Sequence, residues 1–269
     1  MMVTSVEFGG LEKVVIQIIE NIDKYTFDIV PLIFIAKRNK TNAFESYLQE
    51  SGKAYSPIIV DNCRFKYTNP IINLQKVYRI FKDQKFDIIH THGYRADVIG
   101  YIAARALNLP IISTCHGFIP NDRKLKIYNE IDKYILKKFN RVIAVSKGIR
   151  DSLVNAGVAE NAISVIPNAV SIRRNGGSTS AKLREVNRKK MGWNDDHFVC
   201  GYIGRLSEEK GIEYLLSALS NLSRIGIPVR LVVIGDGEQR NKLEQMSKEL
   251  EINGYISFMG FRDDVQDWL

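Results

Sequence analysis

Short apolar, β-branched runs alternate along the chain with longer stretches in which apolar residues recur every three or four positions. The runs predict strands over Asp28–Ile35, Ser56–Val60, Asp87–Thr91, Pro110–Thr114, Arg141–Val145 and Ala162–Ile166, then Phe198–Ile203, Val229–Ile234 and Tyr255–Met259. The periodic stretches predict helices, among them Leu11–Ile22, Leu74–Phe81, Ala96–Leu107, Leu125–Phe139, Gly211–Arg224 and Glu238–Glu251. Ile88-Ile89 and Leu231-Val232-Val233-Ile234 are apolar at consecutive positions, the pattern of parallel strands buried on both faces. This alternation predicts an α/β protein. The pattern breaks between Pro167-Asn168 and Gly192, a span holding Asn175-Gly176-Gly177-Ser178, and then a new strand–helix series begins. Two Rossmann-like domains follow, residues 1–168 and 193–269, joined by a basic linker region at 169–192. The first has six or seven strands and the second three.

Composition adds little to the fold and something to the chemistry. With 45% hydrophobic and 25% charged residues over 269 positions, disorder, collagen and coiled coil are excluded. The net charge of +8 is concentrated in two stretches, Asn121–Arg141 and Arg173–Lys190, each with seven basic residues. Such patches face anions or form solvated surface. Three scattered cysteines, Cys63, Cys115 and Cys200, make neither a disulfide framework nor a zinc motif and point to a reducing cytoplasm. No signal peptide is visible at the start, and the longest apolar run, Ile29–Ala36, is broken by Pro31 and far too short for a bilayer. The expectation is a soluble chain able to sit on a membrane surface.

Candidate chemistry lies at the predicted strand ends. Gly9-Gly10 opens a helix, where a glycine turn exposes N–H groups to an anion or simply makes a tight connection. Gly204-Arg205-Leu206-Ser207-Glu208-Glu209-Lys210-Gly211 follows the strand Phe198–Ile203, at the edge where open α/β sheets bind ligands. Arg205 can fork two phosphate oxygens and Lys210 adds a mobile charge, so a diphosphate is the natural guest. Gly235-Asp236-Gly237 ends the next strand, but Arg240 stands where a dinucleotide fingerprint needs a third glycine, and no Walker A pattern occurs. No Asp-x-Asp is present to carry a metal-bound diphosphate. His90-Thr91-His92-Gly93 and Thr114-Cys115-His116-Gly117 bring three histidines to one edge. His116 reads as functional, and His90 and His92 as structural. The helix over Leu125–Phe139 has an apolar stripe of Leu125, Tyr128, Ile131, Ile135, Leu136 and Phe139, and a second face of Lys126, Lys133, Lys137 and Lys138. The stripe reads as the side packed on the sheet, with membrane-surface attachment the alternative.

These motifs, taken in order, resemble glycosyltransferase family 4. The resemblance rests on Phe8-Gly9-Gly10-Leu11-Glu12, Asp87-Ile88-Ile89-His90-Thr91-His92, Cys115-His116-Gly117, Ala144-Val145-Ser146, Val165-Ile166-Pro167-Asn168, Gly204-Arg205-Leu206 with Glu209-Lys210-Gly211, Ile234-Gly235-Asp236-Gly237, and Phe258-Met259-Gly260-Phe261. It implies a GT-B fold, two Rossmann-like domains facing a cleft, and a retaining transfer from a UDP- or GDP-sugar without a required metal. It implies that Arg205 and Lys210 hold the donor diphosphate, with Gly235 at the same edge, and that Gly9-Gly10 lies against donor or acceptor. His116 would contact the donor sugar near its anomeric centre, and Gly260 would flank the base. The family also carries a Glu-x7-Glu pattern after a further strand and helix, whereas this chain stops at Leu269. The second domain is therefore expected to be incomplete here.

The implied partners are a nucleotide-sugar donor and a glycan or lipid-linked acceptor of cell-surface polysaccharide assembly. The implied place is the cytoplasm, with peripheral contact at the inner face of the plasma membrane. Nucleic acid is not expected, since no aromatic-interleaved basic motif or zinc finger accompanies the basic charge. Two alternatives stay open: a truncated, inactive GT-B module that at most binds nucleotide, and a nucleotide-sugar epimerase.

Overall fold

Two separate parallel sheets carry the chain, one in each of two units, Met1–Ser171 and Ile172–Leu269. The structure is a computed structural model that describes residues 1–5, 9–36, 43–52, 56–60, 70–118, 123–169, 177–262 and 264–268. Cys63 lies outside the described residues.

Among the described residues the first unit has seven strands: β1 (Met2–Ser5), β2 (Leu32–Ala36), β3 (Ser56–Val60), β4 (Ile89–His92), β5 (Ile111–Cys115), β6 (Arg141–Ala144) and β7 (Ile163–Val165). Helices α1 (Gly10–Asn21), α2 (Ala43–Glu50), α3 (Pro70–Gln84), α4 (Tyr94–Ala106), α5 (Arg123–Leu136) and α6 (Lys147–Asn155) connect them. The spatial order β3-β2-β1-β4-β5-β6-β7 reverses between β1 and β4. Helices therefore cover both faces. Val15 and Ile19 of α1 and Phe44 and Leu48 of α2 pack with Val3 and Ile33 on one side. Val77 and Phe81 of α3, Ala103 and Ala104 of α4, Leu136 of α5 and Leu153 of α6 pack on the other.

The second unit holds α7 (Gly177–Lys190), β8 (Phe198–Ile203), α8 (Ile212–Arg224), β9 (Val229–Ile234), α9 (Arg240–Glu249) and β10 (Ile256–Gly260), in the order β10-β9-β8. Leu216 and Leu219 of α8 and Leu243 of α9 pack over Leu231 and Val233 of β9. The basic span at 169–192 carries a helix, and the Asn187 side-chain amide on it donates to the Asp267 carbonyl (2.8 Å).

Helix α5 departs from the predicted facing. Leu136 and Phe139 are buried as expected, but Tyr128 and Ile131 are exposed and Asn129 and Asp132 are buried instead. The reason is a polar contact beneath the sheet. Asp132 faces Asp97 of α4, which also accepts from the Thr91 hydroxyl of β4. Burial pushes both carboxyls up, and for Asp132 the neighbouring Asp97 adds to the effect. Two carboxyls so close in an apolar setting hold a proton between them. That contact draws the polar side of α5 inward and turns Ile127, Ile131 and Tyr134 outward.

Two glycines allow the loops of the second unit to touch. A Cβ on Gly235 would lie 1.9 Å from the Gly204 carbonyl oxygen, and one on Gly237 2.4 Å from that of Leu206. Backbone bonds close the same contact, with Gly204 N–H donating to Ile234 (3.0 Å), Leu206 N–H to Asp236 (2.9 Å) and Gln239 N–H back to Leu206 (3.0 Å).

Two outcomes are expected. Gly235→Ala should lower unfolding free energy in urea by about 3 kcal/mol, whereas Gly254→Ala, whose Cβ meets nothing within 4 Å, should change it by less than about 0.5 kcal/mol. The folded state keeps protons on Asp97 and Asp132 that the unfolded chain releases above about pH 4, so the pair's contribution to stability is lost as pH rises. Asp132→Asn should therefore flatten the fall in thermal midpoint between about pH 5 and about pH 8, measured by calorimetry.

Candidate functional site

In each unit the parallel strands end at one edge, and the predicted site residues fall there. In the first unit that edge is richest at the reversal between β1 and β4. Gly9 and Gly10 open α1, with the Gly9 N–H donating to the Glu12 carboxylate (2.9 Å). Gly10 is exposed, and a Cβ there would meet nothing within 4 Å, so its missing side chain is not required by packing. That leaves backbone N–H groups at a helix start open to a ligand.

Beside it, β4 ends in His92-Gly93 and β5 leads into His116-Gly117, each glycine at positive φ (87° and 117°). Those turns need left-handed backbone, which glycine adopts without cost. The three histidines form one cluster. His90 Nε2 lies 2.8 Å from the Thr114 hydroxyl, and His92 Nδ1 lies 3.2 Å from His116 Nε2. The His90 and His92 rings are 4.4 Å apart, and those of His92 and His116 5.5 Å. Burial lowers all three pKa values, His90 to about 4, so the rings are neutral near pH 7. A neutral imidazole can donate one hydrogen bond and accept another, which suits sugar hydroxyls. Next to His116, burial pushes the Cys115 thiol up to about 12, which removes it as a nucleophile.

His92 is fully buried, as expected of a structural histidine. It carries the same strand-end signal as His116, but its contact with His116 bridges neighbouring strands and is invisible along the chain. The Asp97–Asp132 pair was likewise unmarked. Its only trace is an acid, Asp132, set among the apolar positions of α5.

In the second unit, β8 runs into the loop Gly204 to Gly211. Arg205 and Lys210 are both exposed on it. The Tyr202 hydroxyl donates to the Arg205 carbonyl (2.9 Å) and fixes the turn. A short 3-10 turn, Glu208–Lys210, ends at Gly211 with φ 62°, and α8 begins there without a side-chain cap. Glu209 is held below the usual carboxylate range by the Ser207 hydroxyl and its own backbone N–H, with Lys210 and Arg205 adding positive charge. The loop thus gathers cationic side chains at a helix start, an arrangement that favours a multiply charged anion.

Gly235 and Gly260 belong to this same edge, since the Gly235 N–H donates to the Gly260 carbonyl (2.8 Å). Arg240 reaches over them and pairs with Asp236 (3.3 Å) and Glu244 (2.9 Å). The structure therefore groups Arg205, Lys210, Gly235 and Gly260 at one edge, and Gly9, Gly10 and His116 at the other unit's edge. Among the described residues, no three His, Cys, Asp or Glu side chains are grouped so as to hold a metal ion.

The outward face of α5 forms a further feature. Ile127, Ile131 and Tyr134, with Ile102 of α4, line a groove of about 640 Å³ flanked by Lys126 and Lys138. Ile127 is 62% exposed and Tyr134 58%. No described helix is long and apolar enough to cross a membrane.

Residues 8–174 fit the model of Glycosyltransferase Family 4, and residues 184–269 that of Glycosyl transferases group 1. The chain is 26% identical, over 97% of its length, to 68% of the Escherichia coli UDP-Gal:alpha-D-GlcNAc-diphosphoundecaprenol alpha-1,3-galactosyltransferase. It is 29% identical, over 73% of its length, to the alpha-monoglucosyldiacylglycerol synthase of Streptococcus pneumoniae, of which it spans only 46%. In fold it superposes on Anabaena HepE in complex with UDP with a TM-score of 0.75, covering 99% of this chain and 70% of that one at 20% identity. The two sheets, the strand-end motifs and these matches together place the chain in glycosyltransferase family 4, with the GT-B fold.

Proposed function

We propose that this chain provides the donor-binding edge and the acceptor-side domain of a retaining glycosyltransferase that uses a UDP- or GDP-sugar. The observation that carries the reading is the loop Gly204 to Gly211, with Arg205 and Lys210 exposed beside the uncapped start of α8. A nucleoside diphosphate is the leaving group of sugar transfer, and its charge grows as the glycosidic bond breaks. Arg205 and Lys210 stabilise that charge in a preorganised way and do the electrostatic work that a metal does elsewhere. Gly235 lets the β8 and β9 loops meet at this edge, Gly260 flanks the base, and His116 hydrogen-bonds the sugar near its anomeric carbon. Gly9-Gly10 offers N–H groups to donor or acceptor. The HepE complexes with UDP and UDP-glucose support a uridine nucleotide as the first donor to try.

A lipid-linked acceptor is the second part of the proposal. The E. coli relative acts on a diphosphoundecaprenol substrate and the S. pneumoniae relative is named for a glucosyldiacylglycerol product. The outward face of α5 supports it on this chain, because exposed Ile127, Ile131 and Tyr134 lie between Lys126 and Lys138. Apolar side chains entering the headgroup boundary, with lysines reaching anionic lipid, are the requirements of interfacial docking. Contact with the inner face of the plasma membrane follows.

Four measurements test these roles. Incubation with UDP- and GDP-sugars and a polyprenyl-diphosphate-linked sugar should give an α-linked product from an α-linked donor, read by proton NMR. A β-linked product contradicts retention, and failure of both UDP and GDP to bind in titration calorimetry removes the donor site. Arg205→Ala or Lys210→Ala should lower kcat/KM by about 100-fold or more with the thermal midpoint nearly unchanged, and unaltered kinetics refute the diphosphate role. The protein should sediment with phosphatidylglycerol-containing vesicles, and Lys126→Glu with Lys138→Glu should abolish this. Self-association in place of vesicle binding would assign the face to a second copy.

A further inference from the structure

The histidine cluster contains an asymmetry that decides how His116 presents itself. His92 is fully buried, its Nδ1 lies 3.2 Å from His116 Nε2, and its Nε2 has no partner among the described residues. Each neutral ring has one N–H and one acceptor nitrogen. The contact can form in two ways. If His116 donates from Nε2, then His92 accepts at Nδ1 and carries its own proton on Nε2. That N–H would be sealed from water with nothing to receive it. If His92 donates from Nδ1, the orphan is only the Nε2 lone pair. Buried N–H groups without an acceptor are the rarer defect in folded proteins, and under-satisfied acceptors the more common one.

We propose that His92 is a positioning residue that donates from Nδ1 to His116 Nε2 and so fixes His116 with its proton on Nδ1. His116 then offers an N–H donor, not an acceptor, on its remaining nitrogen, which makes no hydrogen bond to the protein among the described residues. Its ligand is an oxygen: a sugar hydroxyl or another lone pair of the donor substrate. His116 in this tautomer cannot take a proton at Nδ1, so it orients the sugar and does not act as a general base from that nitrogen. The His90–Thr114 contact (2.8 Å) holds the neighbouring ring that packs against His92 and keeps the cluster in place. The tautomer stands on the cluster's geometry alone. Its consequence for the sugar rests on the transferase reading.

The test is two-bond proton–nitrogen correlation NMR on the full chain with labelled histidine, near neutral pH and without ligand. His116 should show a protonated Nδ1 and an unprotonated Nε2. A His116 protonated on Nε2 overturns the proposal. In His92→Asn, whose side-chain amide can still donate, the His116 tautomer should persist. In His92→Leu, which fills the space without a donor, the single tautomer should be lost, and its persistence would equally overturn the proposal. Should His92→Leu fail to fold, the wild-type spectrum decides alone. The transferase reading fails separately: a correct tautomer with no nucleotide binding would remove the function and leave the positioning role. With both intact, His92→Leu should lower kcat several-fold with little change in nucleotide affinity, and His92→Asn should restore it.

Discussion

Parallel strand pairing is the constraint on which the rest of this structure depends. A strand that pairs parallel with its neighbour must be reached by a crossover, so every strand ends, and every following helix begins, at the same edge. Among the described residues every strand pair is parallel. The chemistry-bearing residues therefore collect at those edges without any further design. At the first unit's edge the order reverses between β1 and β4, which leaves a gap between diverging connections where Gly10 and His92 stand. At the second, β8 and β9 end together and their loops are locked by backbone bonds from Gly204 to Ile234 and from Leu206 to Asp236.

The two edges are chemically different. At the edge of the first unit, burial keeps three imidazoles uncharged. The edge of the second presents two exposed cations, Arg205 and Lys210, beside a helix start, with Glu208 and Glu209 on the same loop. Sugar hydroxyls call for directional hydrogen bonds from neutral groups, and a diphosphate calls for fixed positive charge.

Much of the fold was legible because the strands are short, mostly apolar runs set between helical stretches. Ser56–Val60, Phe198–Ile203 and Val229–Ile234 were predicted with the bounds the structure gives them. Other strands shifted by a residue or a few, as with β4, which reaches His92, and β2, which starts at Leu32. The facing of α5 was misread because periodicity assigns polar residues outward, and it has no way to see that Asp97 waits beneath the sheet for Asp132. The site was legible as a set of strand ends. Its internal contacts were not, since His92 and His116 are 24 residues apart and meet only across β4 and β5. The need for Gly235 is also three-dimensional. Its sequence suggests a ligand, but its missing side chain makes way for the Gly204 carbonyl.

The role of the β8–α8 loop as a diphosphate cradle is tested most directly by hydrogen–deuterium exchange, resolved by peptide, with and without saturating UDP or GDP. Slower exchange of the amides from Gly204 to Gly211 and from Gly235 to Gly237 on nucleotide binding is the predicted result. Nucleotide binding that leaves those amides unchanged while protecting another part of the chain would contradict it.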